Sequence, residues 1–193
     1  MDIKKGIILL LSAVCMAMPA KSQDIAVKTN LLPDLALSPN LGIEIGLAPR
    51  WSLDATGEYN LWTVSGRKWK HWLVQPEARY WFCDRFVKSF VGVHAIGAQY
   101  NVGDIPNNLR IFGKDFSQLS DYRFQGWAVG AGVAYGYAIP LGVHWNLELE
   151  IGAGYVYTMY DKYECKECGR KVDSGDVHYV GPTKAAVNLV YLF

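Results

Sequence analysis

The chain is 193 residues long, 51% hydrophobic and 13% aromatic, with 19 lysines and arginines against 18 acidic residues. That length suits one compact domain, and the balanced charge leaves no basic surface for nucleic acid. The informative bias is in glycine and tryptophan, 19 and seven residues, because the way they alternate with polar residues decides the fold class.

The first stretch, MDIKKGIILLLSAVCMAMPAKSQ, places Lys4 and Lys5 before an apolar run and then small residues. This pattern predicts a secretory signal peptide over residues 1–22 and a mature domain over 23–193. Its apolar core is too short to span a bilayer. Cys15 follows Val14 where a lipidation site wants a small residue, so a lipoprotein anchor is not expected.

The mature chain then repeats a period of two. IAVKTNLL opens it, and LGIEIGLA and WSLDATGEYN form a hairpin around Pro49 and Arg50. HWLVQPEARY sets Trp72, Val74, Ala78 and Tyr80 against His71, Gln75, Glu77 and Arg79, with Pro76 as a break or bulge in the ladder. FVGVHAIGAQYN reads as a strand whose two faces do not separate. In QGWAVGAGVAYGYAIP the large residues from Trp127 to Ile139 alternate with Gly126, Gly130, Gly132 and Gly136. VHWNLELEIGAGYVY is the clearest two-faced strand, and TKAAVNLVYLF ends the chain. About eight strands result, with no helix required.

Connections near Pro49, Cys83–Lys88 and Pro140–Gly142 are short. Those around Asp34–Asn40, Leu61–Lys70, 102–123 and Asp161–His178 are long. This alternation predicts an all-β, eight-stranded antiparallel up-and-down transmembrane β-barrel, with tight turns toward the periplasm and long loops outward. A soluble lipocalin-like barrel would turn its apolar face inward, but so many Trp and Tyr side chains exceed an eight-stranded interior. Outside, they would meet outer-membrane lipid, with aromatic residues at headgroup level. Tyr191 and Phe193 form an aromatic-x-aromatic end, resembling the signal recognised by the barrel-assembly machinery.

The opposite face gathers Glu44, Asp54, Glu58, Glu77, Arg79, Glu148, Glu150 and Lys184. Buried charges must be paired, so an interior network centred on Arg79 and Lys184 is expected. Surplus carboxylates would be hydrated, protonated or reached by Lys28. Such an interior could be a narrow pore or a proton path, but a polar plug is the favoured reading.

Cys165 and Cys168 form a CxxC in the last long loop. A loop disulfide, half a zinc site and a redox pair are the three readings, and an oxidising compartment favours the disulfide. Cys83, in a short turn, would lie too far away to pair with them. No second ligand pair implies a metal, and no cofactor is implied. His71, His94, His144 and His178 fall on different segments without a Ser or acidic partner at a diagnostic spacing, so no catalytic residue is assigned. An outer-membrane lipid-modifying enzyme is the rival function. Loop 102–123 is the candidate contact for a surface protein partner.

KTNLL (28–32), WKHWLVQPEARYWFC (69–83), GAQYN (97–101), GWAVGAGVAYGY (126–137), KYECKECG (162–169) and GPTKAAVNLVYLF (181–193) together resemble a Bacteroides-type family of small outer-membrane barrels catalogued as domain of unknown function 3575. Leu61 of YNLW stands where the family more often has Pro. The resemblance implies an outer-membrane barrel without assigned activity, sometimes encoded beside fimbrial subunits.

Overall fold

A computed structural model of the chain describes residues 24–60, 63–64, 67–103, 110–111, 114–115, 123–164 and 170–193. Eight principal strands follow one another: β1 Ile25–Asn30, β2 Asn40–Ala48, β3 Trp51–Asn60, β4 Arg67–Trp81, β5 Lys88–Gly103, β6 Arg123–Pro140, β7 Trp145–Tyr163 and β8 Lys171–Leu192. Each pairs antiparallel with its neighbours in the chain, and β1 pairs with β8 from Ala26↔Leu192 to Asn30↔Asn188. The sheet therefore closes into an up-and-down ring. The predicted signal-peptide boundary lies outside the described residues.

One expected strand ends early, and a helix takes its place. After Asn30 the chain forms α1, Leu31–Leu35, instead of continuing the IAVKTNLL strand. Asn30 is the N-cap, accepting from Leu32 N at 3.2 Å, and Pro33 sits in the first turn, where its missing N–H costs nothing. Asp34 then ties the helix to the ring by accepting from Thr29 Oγ1 at 2.7 Å and Asn40 Nδ2 at 2.9 Å.

The last long connection is shorter than expected. Within the long connection expected over Asp161–His178, Lys171 to His178 is strand, and so is Asp161 to Tyr163. The ladder continues because β7 and β8 stay in register from Thr158↔Val177 to Lys162↔Asp173, and an antiparallel hairpin tolerates polar residues wherever a face is solvated. The ring is consequently lopsided. β1 to β3 are six to ten residues long, whereas β4 to β8 are 15 to 22, so a five-stranded wall rises above the closed part on the long-loop side.

Pro76 interrupts one ladder, as a missing donor should. On β5 the register runs from Val74↔Gly97 to Glu77↔His94 without a shift, and Gln75 and Pro76 have no partners there. The β5 faces that sequence alternation left mixed are separate: Phe90, Gly92, His94 and Ile96 point inward, while Val91, Val93 and Ala95 point out.

Candidate functional site

The inward side chains form layers. Nearest the short turns is an apolar plug of Trp81, Phe86 and Phe90, closed by Ala26, Ala138, Val190 and Leu192. Trp81 packs on Phe90 with ring centroids 4.6 Å apart and on Phe86 at 5.8 Å. Phe86 reaches the interior because the Phe82–Val87 turn folds back: its φ is 63°, unusual for an aromatic residue, and Asn146 Nδ2 holds its carbonyl at 2.6 Å.

Above the plug lies the charge cluster. Arg79 donates from Nε to Glu77 at 2.6 Å, from Nη1 to Glu44 at 2.7 Å and Glu148 at 3.1 Å, and from Nη2 to Glu150 at 2.8 Å. Asp54 stands 3.3 Å from Nη2, so one guanidinium faces five carboxylates. Its Cζ also lies 4.5 Å from the centre of the Phe90 ring, which joins the charged layer to the plug by a cation–π contact.

Two lysines complete the arrangement. Lys28 donates to Glu44 and lies 3.4 Å from Asp54 and 3.5 Å from Glu148. Lys184 bridges Glu77 at 2.8 Å and Glu150 at 2.9 Å. Neutral donors occupy further lone pairs: Ser52 on Glu44 at 2.5 Å, Thr56 on Asp54 at 3.2 Å and Asn188 on Glu148 at 2.8 Å. Ser52 in turn accepts from Trp81 Nε1 at 2.8 Å. His94 is buried with Nδ1 3.4 Å from Glu77 and Nε2 3.0 Å from Thr183 Oγ1. β8 shifts register between Lys184 and Pro182, so Thr183 is the extra residue of a bulge and turns toward the imidazole.

Seven of the eight sequence-predicted interior residues thus meet at one cluster, and Lys28 takes the role of a third cation. Glu58 does not join them. It lies toward the long loops, 3.0 Å from His71 Nε2, beside an interior cavity of about 140 Å³ that Thr56, Gln75, Lys184 and Asn188 also line.

Small residues on β6 make this crowding sterically feasible. A Cβ on Gly132 would come within 2.6 Å of His94 Nε2, and one on Gly136 would collide with the Phe90 ring. Gly92 leaves space for Glu77, and Gly42 for Lys28. The interior is therefore a cross-linked fill: charges from β1, β2, β3, β4, β7 and β8 converge and pair with one another. Sequence reading missed Trp81 and Phe90 as interior residues and saw His94 as isolated. The signal for Trp81 was present, since it shares the parity of Glu77 and Arg79.

The outward face is the reverse. Val133, Ile151 and Val93 are 62%, 67% and 63% exposed. Outward positions of β2 (41–47), β3 (51–59), β4 (72–80), β5 (91–99), β6 (127–139), β7 (145–157) and β8 (185–191) carry no charged residue. Aromatic side chains concentrate in two belts: Trp51, Tyr80, Tyr137, Trp145 and Tyr191 toward the short turns, and Tyr59, Trp72, Trp127, Tyr155 and Tyr157 toward the long loops. Tyr191 packs edge-on to Trp145 at 5.0 Å and to Phe193 at 4.9 Å.

All four histidines have partners that sequence spacing hid, because cross-strand neighbours are far apart in the chain. Besides His71 and His94, His144 Nδ1 lies 3.0 Å from the Leu192 carbonyl, and His178 Nε2 lies 3.3 Å from Asp176. Cys83 is exposed in the Phe82–Val87 turn. Cys165, Cys168 and most of loop 102–123 lie outside the described residues, and no group of metal ligands occurs among the described ones.

A closed up-and-down ring with an apolar exterior and a charged, packed interior defines a small all-β barrel protein. The chain belongs to the family described as protein of unknown function (DUF3575), whose model matches residues 7–193. Neither the curated proteins nor the solved structures include a significant match.

Proposed function

We propose that this protein is an integral outer-membrane β-barrel, exported by its leader, with a structural and surface-interaction role rather than an enzymatic one. The observation that carries the reading is the uncharged outward band between two aromatic belts. Contiguous exposed apolar surface beyond a few hundred Å² is rare on soluble monomers, and a belted apolar band is the pattern of a barrel wall in lipid. The soluble lipocalin-like alternative would leave that band in water and place at least eight charged side chains where a ligand should sit.

The interior supports a scaffold rather than a conduit. Trp81, Phe86 and Phe90 fill it toward the short turns, and the Arg79 cluster fills its middle. The surface-interaction part rests on the long-loop side, where β4 to β8 rise beyond the ring and loop 102–123 departs. An accessory role in surface-fibre assembly is the finer part of the proposal, and it rests on the family resemblance.

The test is gel mobility of the outer-membrane fraction with and without boiling, together with alkaline extraction. A heat-modifiable band that resists extraction supports the reading. A soluble periplasmic protein with a single mobility overturns it.

A further inference from the structure

At the foot of the rising wall, where Trp127 marks the upper edge of the long-loop aromatic belt, β6, β7 and β8 line a pocket of about 330 Å³. This lies at the lower end of small-molecule sites, which run from about 300 to 1,000 Å³. Its construction follows from register. Trp127, Met159 and Asp176 form one cross-strand row, and Gln125, Asp161 and Ser174 form the next. Three strands about 4.8 Å apart and two rows about 7 Å apart give a patch the size of one six-membered sugar ring.

The two rows differ in chemistry. Trp127 and Met159, both part-exposed, form an apolar shelf, with Trp127 braced edge-on by Tyr157 at 6.0 Å. The other row offers an amide, a carboxylate and a hydroxyl, and Lys171 adds an ammonium 2.6 Å from Asp161. The hydrogen bond it donates to Asp161 raises the Lys171 pKa. Asp176 is held from below: the Tyr155 hydroxyl contacts His178 Nδ1, and His178 Nε2 lies 3.3 Å from Asp176. Asp161 and Asp176 thus each have a partner within the wall.

Charge narrows the ligand class. Two carboxylates against one ammonium disfavour a phosphate, and the Lys171 pairing of Asp161 disfavours a divalent cation. A wholly apolar chain would strand the charged rim without hydrogen-bond partners. A neutral pyranose satisfies both rows, with its C–H face on the Trp127 indole and its hydroxyls toward Gln125, Asp161, Ser174 and Asp176. We propose that this wall pocket is a binding site for a neutral hexose unit of a surface glycan, either free polysaccharide or the sugar portion of a glycolipid. The pocket goes beyond the scaffold reading, and the fold of each preparation is checked separately by heat-modifiable mobility.

The experiment is binding of the detergent-solubilised full chain to an array of neutral and phosphorylated oligosaccharides. Trp127→Ala, Gln125→Ala and Asp161→Asn are compared with wild type. The expected result is capture of at least one neutral hexose-containing glycan, weakened tenfold or more in Trp127→Ala and in one of the two polar variants, with heat-modifiable mobility unchanged. Gln125→Ala and Asp161→Asn keep the test decisive if Trp127→Ala fails to fold. Lipopolysaccharide vesicles and the free oligosaccharide are then compared: stronger binding to vesicles assigns the glycolipid source, and equal binding assigns free glycan. No capture of any neutral glycan, capture of phosphorylated glycans alone, or binding unaffected by all three variants overturns the proposal.

Discussion

The closed ring and the wall that rises from it are made of the same strands, yet they are held in different ways. Within the ring every strand has two neighbours, and side chains far apart in sequence are tied together, as Arg79 is to Glu148 across 69 positions. In the wall, β8 from Lys171 to Gly181 is paired with β7 alone among the described residues. Its polar contacts there, such as Lys171 with Asp161 and His178 with Asp176, are exposed. The ring is a cross-linked body, and the wall is a five-stranded extension of it whose β8 edge is open among the described residues.

The sharpest way to break this contrast is Arg79→Met. It leaves five carboxylates facing two lysines, and removing one partner from a buried ionic cluster costs about 3 to 5 kcal/mol. Urea unfolding in micelles should show that loss or an inability to fold, and a stability within about 0.5 kcal/mol of wild type would contradict the network. Next comes Val133→Lys on the outward band, expected to cost about 2 to 4 kcal/mol in a bilayer near the midplane. The same substitution on a water-exposed wall would change little, so refolding into vesicles separates the two environments.

Gly136→Val should cost about 1 to 3 kcal/mol by driving a side chain into the Phe90 ring. Gly57→Val is its control, since nothing lies within 4 Å of a Cβ there. The smallest effect belongs to the wall. Lys171→Ala should change stability by less than about 1 kcal/mol, and added salt should shrink even that. A loss from Lys171→Ala equal to that from Arg79→Met would erase the distinction between the regions.

Most of the ring was legible in the sequence because its two faces have opposite chemistry, apolar outward and charged inward. LELE beside IGAGY on β7 shows parity without ambiguity, and it placed Glu148 and Glu150 inward. Parity failed in two places for physical reasons. On β5, glycine and alanine occupy both faces, so side-chain size does not report direction, and His94 was left without context. Over residues 161–163 and 171–178 the strands leave the apolar band, both faces become polar, and alternation disappears while the ladder persists. The helix at Leu31 was hidden by its length: one turn leaves no 3.6-residue pattern, and Asn30 with Pro33 were the local cues. The convergence of six strands on Arg79 was foreseeable as a demand for pairing, but the partners depend on register, which a sequence states only indirectly.

The most direct test of the central assignment, lipid outside and charge inside, is a spin-label accessibility scan over residues 129–137 of β6 in vesicles, made in a background with the native cysteines replaced. Oxygen collisions should dominate at Val129, Ala131, Val133, Tyr135 and Tyr137, with both oxygen and polar nickel reagents low at Gly130, Gly132, Ala134 and Gly136. High collision rates with the polar reagent at Val133 would place the apolar wall in water and contradict the account.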